Sequence, residues 1–197
     1  MILPTLNDLF LDRRMRDLRR DLLGRATGRI VEIGAGTGLN FGHYPRASDV
    51  LAIEPDDAMR ARATRRVREP AVHARIEVTE GRARSIPVDM ASVDTVVLTF
   101  VLCSVREPPA ALTEIARILK PGGRLLVLEH SRDPSPRIAR WQERVQPAWS
   151  VIFGGCQLVR DIPRELDRAG FDTRELCDES LPLPWIVRHG VRGILTR

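Results

Sequence analysis

The sequence predicts an α/β fold: a Rossmann-like sheet of seven strands, mostly parallel with the last strand antiparallel, and helices on both faces. Three observations lead there. Ile30, Val31 and Ile33 form a short apolar strand that runs straight into glycines at 34, 36 and 38. Strand-like and helix-like segments then alternate, the pattern of a parallel sheet with crossover helices. Val93 to Thr99 is almost continuously apolar, as a strand covered on both faces must be.

At 197 residues the chain is long enough for one domain with a full core, and 1–197 reads as a single domain. Its 43% apolar and 29% charged content are those of an ordinary globular protein. The longest apolar run, Val96 to Cys103, falls far short of the ~20 residues that span a bilayer. The N-terminus lacks the pattern of a signal peptide, so a cytoplasmic protein is expected. Cys103, Cys156 and Cys177 are widely spaced and no C-x-x-C occurs. Neither a disulfide framework nor a metal site is expected. A net charge of +5 and a pI near 10.0 raise nucleic acid as a partner. The arginines are interspersed with acids, Lys120 is the only lysine, and aromatics make up 5%. That distribution argues against a nucleic-acid face. No feature specifies an oligomeric state.

In residues 1–24, Leu11, Met15, Leu18 and Leu22 fall on one helical face. Arg13, Arg14, Arg16, Arg19 and Arg20 are read on the other, and Gly24 is a plausible stop. This predicts an amphipathic helical lid or cap with a solvated basic face. Peripheral contact with an anionic membrane is the other reading.

The stretch I-V-E-I-G-A-G-T-G-L-N follows, from Ile30 to Asn40. Spaced glycines after a strand let the backbone turn sharply and let a ligand approach without a Cβ in the way. A dinucleotide fingerprint, G-x-G-x-x-G, needs glycine where Leu39 stands. Glu32 is a poor neighbour for a pyrophosphate and a good one for a cation. A short helix is expected from Leu39 to Tyr44, ended by Pro45.

Val50 to Ile53 is the second strand. Glu54 closes it, about 20 residues after the glycines, where an acid binds ribose hydroxyls. Pro55 and then Asp56 or Asp57 open a helix, with Met59 in its first turns. Arg75 to Thr79 alternates as a third strand, and Gly81 to Pro87 follows as a loop. Val93 to Thr99 is the fourth strand. Phe100 to Val105 leaves its C-terminal end, the side on which open α/β sheets bind ligands. Pro108 to Leu119 is a helix, Lys120 to Gly123 a turn, and Arg124 to Glu129 the fifth strand. Ile138 to Val151 is apolar and Arg-rich by turns. A helix around Ile162 to Arg168, a strand from Phe171 and a final antiparallel strand within Leu183 to Leu195 complete the chain.

The pattern E-x-G-x-G-x-G resembles motif I of class I S-adenosylmethionine (SAM) methyltransferases. I-L-K-P-G-G-R-L-L-V-L-E, from Ile118 to Glu129, resembles their helix, turn and fifth strand. The resemblance implies SAM as cofactor. It places Glu32 at the cationic methionine end and Gly34, Ala35, Gly36, Gly38 and Asn40 along the cofactor. Glu54 and Pro55 fall at the ribose, Met59, Arg82 and Ala83 at the adenine, and Thr99 and Leu102 at and just past the end of the fourth strand. Many relatives carry an acid where Arg82 stands, so only backbone contacts of Arg82 and Ala83 are expected there.

A narrower likeness rests on N-F-G-H-Y-P (Asn40 to Pro45), T-F-V-L-C-S-V (Thr99 to Val105), L-E-H (Leu128 to His130), Q-P-A-W (Gln146 to Trp149) and G-G-C-Q-L-V-R-D (Gly154 to Asp161). These resemble the methyltransferase-like seven proteins, animal thiol S-methyltransferases with bacterial relatives. No counterpart of their N-terminal membrane anchor is read here. The likeness implies methyl transfer to a small lipophilic acceptor, a thiol by in-line displacement. The alternatives are the amine of a phospholipid head group and a quinone precursor. A SAM-binding scaffold and an RNA methyltransferase are remoter readings. His130 is the candidate catalytic residue. Tyr44, Cys103, His130, Trp141 and Trp149 are candidates for the acceptor side.

Overall fold

The computed structural model describes residues 15–197. Leu11, Arg13 and Arg14 lie outside them. Seven strands form one sheet in the order β3-β2-β1-β4-β5-β7-β6. They are β1 Arg29–Ile33, β2 Asp49–Ile53, β3 Arg75–Thr79, β4 Val93–Thr99, β5 Leu119–His130, β6 Cys177–Ser180 and β7 His189–Leu195. All neighbours are parallel except β7, which runs antiparallel to both β5 and β6. β1 lies between β2 and β4, so the chain order reverses at the β1/β4 boundary. The crevice beyond that boundary is where such a sheet takes ligands.

Residues 15–23 form helix α1. The other helices are α2 Asp57–Arg66, α3 Pro108–Ile118, α4 Pro136–Ile152 and α5 Ile162–Arg168. Strand alternation builds two cores. Val31, Ile33, Val96, Leu98, Leu125 and Val127 pack with Ile115 of α3 and Leu166 of α5. Ile30, Val97, Leu126 and Leu128 face the other way, against Met15, Leu22 and Leu23 of α1. Each such side chain is worth roughly 1.5–3 kcal/mol when fully buried, which explains the strict alternation. The same alternation turns Glu32, Thr99 and His130 toward the α1 side.

Several boundaries differ from the sequence reading. The helix after the glycines shrinks to a single 3-10 turn, Phe41–His43. β5 starts earlier, because Leu119 pairs with Val93 before a register shift at the glycine turn. The Arg-rich stretch is one helix, α4, with Pro147 inside it. Phe171 is a buried core residue rather than the start of a strand. Asp172 caps a 3-10 turn there, and β6 begins only at Cys177. Pro184 leads another 3-10 turn, so β7 begins at His189 instead of near Leu183.

Arg19 overturns the picture of a wholly solvated basic face, for it is only 4% exposed. On a helix, residue 19 lies four places after Met15 and three before Leu22, inside the apolar stripe. Arg16 and Arg20 do face solvent.

Candidate active site

Three side-chain groups meet at the carboxyl ends of β1, β4 and β5. The first is built on Glu32. Its carboxylate accepts the Asn40 amide at 2.9 Å and the Tyr44 hydroxyl at 2.7 Å. The second amide hydrogen of Asn40 goes to Thr99 Oγ1 at 2.8 Å, and its oxygen accepts from Arg19. Every polar atom of the Asn40 side chain is thereby used, which fixes its orientation. Burial raises the Glu32 pKa to about 7, against the opposing pull of Tyr44, Asn40 and the Arg19 charge. Burial first, and the adjoining Glu32 second, hold the Tyr44 phenol well above its usual range.

The second group is the glycine loop with Glu54. The buried Glu54 carboxylate accepts from the Gly36 amide at 2.8 Å and the Asp56 amide at 2.9 Å. One acid therefore joins the loop after β1 to the start of α2. Gly36 sits at φ +57°, and a Cβ placed there would meet nothing within 4 Å. Among the described residues, the side of the loop that a side chain would fill is open.

The third group lies where β4 and β5 end. Phe100 leaves β4 at φ +57°, a left-handed conformation costing a bulky residue ~1–2 kcal/mol. The turn it starts is held by Glu129, fully buried on β5. Glu129 accepts from the amides of Val101 at 2.6 Å, Leu102 at 2.8 Å and Cys103 at 3.3 Å. Burial raises its pKa in spite of those bonds. Next along β5, His130 Nε2 lies 2.9 Å from Cys156 Sγ, and Trp149 Nε1 donates to the same sulfur at 3.3 Å. Cys103, His130 and Cys156 place their donor atoms within 4.8 Å of one another, all buried. Hydrogen bonding from Cys103, with His130 and Trp149 adding to it, lowers the Cys156 pKa and favours a thiolate. His130 Nδ1 is buried and has no hydrogen-bond partner among the described residues.

A methyltransferase domain model matches residues 31–127. Human thiol S-methyltransferase TMT1A is 35% identical over 168 residues, 83% of this chain and 68% of that protein. The chain belongs to the class I SAM-dependent methyltransferases. The phosphatidylethanolamine N-methyltransferase of Cereibacter sphaeroides is 34% identical over 113 residues, 57% of this chain and 56% of its own. A SAM-dependent methyltransferase from Thermotoga maritima, described as a possible histamine N-methyltransferase, superposes with a TM-score of 0.69 at 22% identity. That match covers 97% of this chain and 92% of the other and speaks to the fold.

The cofactor of this family is SAM, and the site fits it. The open approach at Gly36, the Glu54 carboxylate beside it and the buried Glu32 acid suit a glycine-loop cradle, ribose hydroxyls and a cationic end respectively. The enzyme methylates a small molecule.

Of the residues singled out in the sequence, Glu32, Asn40, Tyr44 and Thr99 form one network. Tyr44, read as an acceptor contact, is bound into that network by Glu32. Gly36 and Glu54 form the second group, flanked by Gly34, Ala35, Gly38 and Pro55. Cys103, His130 and Trp149 are in the third. Leu102 is wholly buried in the core, so it offers the site its backbone only. Met59 is 39% exposed in the first turn of α2, and Arg82 is exposed in a bridge to Ser85. Ala83 packs on the core. Trp141 stands apart. It is 45% exposed, edge-on to Trp185 at 6.4 Å, with Arg144 over its ring. Trp149 stacks on Phe153 at 4.0 Å.

Sequence reasoning gave no site role to Arg19, Glu129 or Cys156. The helical position of Arg19 was the available signal, as was an acid interrupting a buried strand at Glu129. For Cys156 the only signal was the stretch Gly154 to Asp161 that contains it, because its partners come from β5 and α4.

Proposed function

We propose that this methyltransferase acts on a small lipophilic thiol, transferring the methyl group to sulfur by in-line displacement. The observation that carries the reading is the buried imidazole of His130, bonded at Nε2 to Cys156 and, among the described residues, without a partner at Nδ1. Likeness to a thiol S-methyltransferase over most of the chain supports it. SAM, when bound, supplies a methyl group already activated on a sulfonium. The chain's own task is to align the acceptor, exclude water and accept one proton.

A thiolate at Cys156 accepts the Nε2–H of His130, which leaves the lone pair on Nδ1. Nδ1 is then the atom that takes the acceptor's proton. A thiol of pKa ~8.5 asks little of such a base, since part of it ionises near neutrality. An amine or a ring carbon asks more. Alignment contributes the greater part, up to ~7–11 kcal/mol in well-oriented systems. Cys103 and Trp149 give the acceptor side a sulfur-and-aromatic wall suited to a soft, apolar group.

Methylation of a phospholipid amine is the second reading, favoured by the N-methyltransferase relative and by the exposed Arg16 and Arg20 of α1. A panel of alkyl thiols, phosphatidylethanolamine vesicles and a demethylated quinone, scored by SAM consumption, separates the readings. Thiols are expected to turn over fastest. Turnover of lipid or quinone with none on any thiol defeats the thiol assignment.

A further inference from the structure

The buried Arg19 lies at the end of the glycine loop that follows Glu32 and β1. Its guanidinium donates to Asn40, the residue whose amide also binds Glu32 and Thr99. Its Cζ stands 5.9 Å from the ring centroid of Phe100, the first residue past β4. The charge of Arg19 is felt at Glu32. A buried acid and a buried guanidinium thus flank one amide at the β1/β4 crevice, where the methionine half of SAM must lie. That half is an amino acid, with an ammonium and a carboxylate on one carbon. A lone acid recognises only the first.

We propose that Arg19 is a cofactor-binding residue that recognises the α-carboxylate of SAM, making α1 a working wall of the cofactor site. A guanidinium presents its donors as a planar fork that matches a carboxylate, and such charge-assisted bonds are the strong ones. The position of Arg19 within the apolar stripe of α1 follows from this. Met15, Leu22 and Leu23 anchor the helix on the sheet and so deliver the cation to the crevice. A cation tethered only by exposed residues would leave the carboxylate to water. Arg19 also offsets the charge of Glu32 when the site is empty of ligand, so one residue serves both states.

Calorimetric titration with SAM and with decarboxylated SAM, which keeps the ammonium and the sulfonium, tests this. The native enzyme is expected to prefer SAM by about 10–100-fold, the range of a charge-assisted hydrogen bond. Arg19→Gln is expected to remove that preference while changing affinity for decarboxylated SAM less than about threefold. Arg19→Met fills the same space with an apolar chain, a kind of exchange that buried ions usually tolerate. It is expected to give the same result and serves if the Gln variant does not fold. Equal affinity of the native enzyme for the two ligands overturns the proposal. So does a preference that survives in the variants, or an equal loss for both ligands, which would mean that Arg19 only holds the helix down.

Discussion

The Tyr44 hydroxyl donates to the Glu32 carboxylate at 2.7 Å, and neither side chain reaches solvent. The phenol is one of two neutral donors that keep an otherwise costly buried charge in place. Tyr44→Phe removes it without altering the packing. Burial already raises Glu32 to about pH 7, and the substitution pushes it higher. The variant is expected to lose about 1–3 kcal/mol at pH 8, where the native Glu32 is ionised. At pH 5 the folded Glu32 is protonated in both proteins, so the loss is smaller. Urea titrations at the two pH values check this. Equal losses would mean that the bond matters only to packing.

Glu32 itself is costly in the folded state. A carboxyl whose folded pKa is raised from 4.5 to about 7 binds its proton more tightly when folded. Its contribution to stability therefore falls as pH rises from 4.5 to 7 and is flat above. Glu32→Gln removes that slope. The difference in unfolding free energy, variant minus native, is expected to grow by up to roughly 3 kcal/mol across the window. A cationic cofactor reverses the cost, because it favours the ionised acid. Native protein should thus release protons on SAM binding near pH 6.5, seen as a buffer-dependent heat. The Gln variant should bind SAM more weakly and release fewer. A more stable variant with unchanged affinity would remove Glu32 from the cofactor site.

Glu54 serves two loops at once. Glu54→Ala frees the amides of Gly36 and Asp56 and deletes the acceptors proposed for the ribose. SAM affinity is expected to fall about 10–100-fold. S-adenosylhomocysteine, which carries the same ribose, should lose as much. A titration in which neither ligand loses affinity refutes the ribose assignment.

His130 and Cys156 should fail together. His130→Ala is expected to lower turnover about 10–100-fold while SAM affinity stays within about twofold. Cys156→Ser keeps the size of the side chain but not the ready ionisation of the thiol. The imidazole tautomer is then no longer fixed, and turnover should fall while SAM affinity is kept. Loss of SAM affinity in step with turnover would make His130 a structural residue.

The sheet was legible because its signals are local. β3 and β4 match their sequence-predicted bounds residue for residue, and α5 does too. Alternation, a glycine run and a cap need only near neighbours to be read. The glycine loop proposed for the cofactor has local signals too, with Glu32 and Glu54 each a fixed step from a strand end. The region after His130 was harder. Its helix α4 contains Pro147, and its last strands are delayed by 3-10 turns that prolines and an Asp cap impose. Cys156 meets His130 across 26 residues and Arg19 meets Asn40 across 21. Contacts of that kind depend on how the sheet is assembled, and no window of sequence contains them. Trp141 shows the converse. An aromatic that reads as a pocket wall stands on the exposed side of α4 against Trp185.

Glu129 offers the sharpest test of how the proposed acceptor side is held. Its two oxygens serve three consecutive amides, Val101 to Cys103, and among the described residues no other side chain bonds them. Glutamine has the same shape but only one acceptor oxygen. If that oxygen keeps Val101 and Leu102, the new NH2 group faces the Cys103 amide, donor against donor. Either rotamer leaves a buried donor unsatisfied, at about 1–3 kcal/mol. Cys103 is the member of the sulfur–imidazole group that this turn carries, so its displacement loosens the group. Glu129→Gln is expected to lower stability by that amount and to speed amide hydrogen exchange at 101–103. Turnover should fall more than SAM affinity, because Glu32 on β1 and Glu54 just past β2 lie away from this turn. Unchanged exchange at those three amides would show that the turn holds itself and that Glu129 is not its anchor.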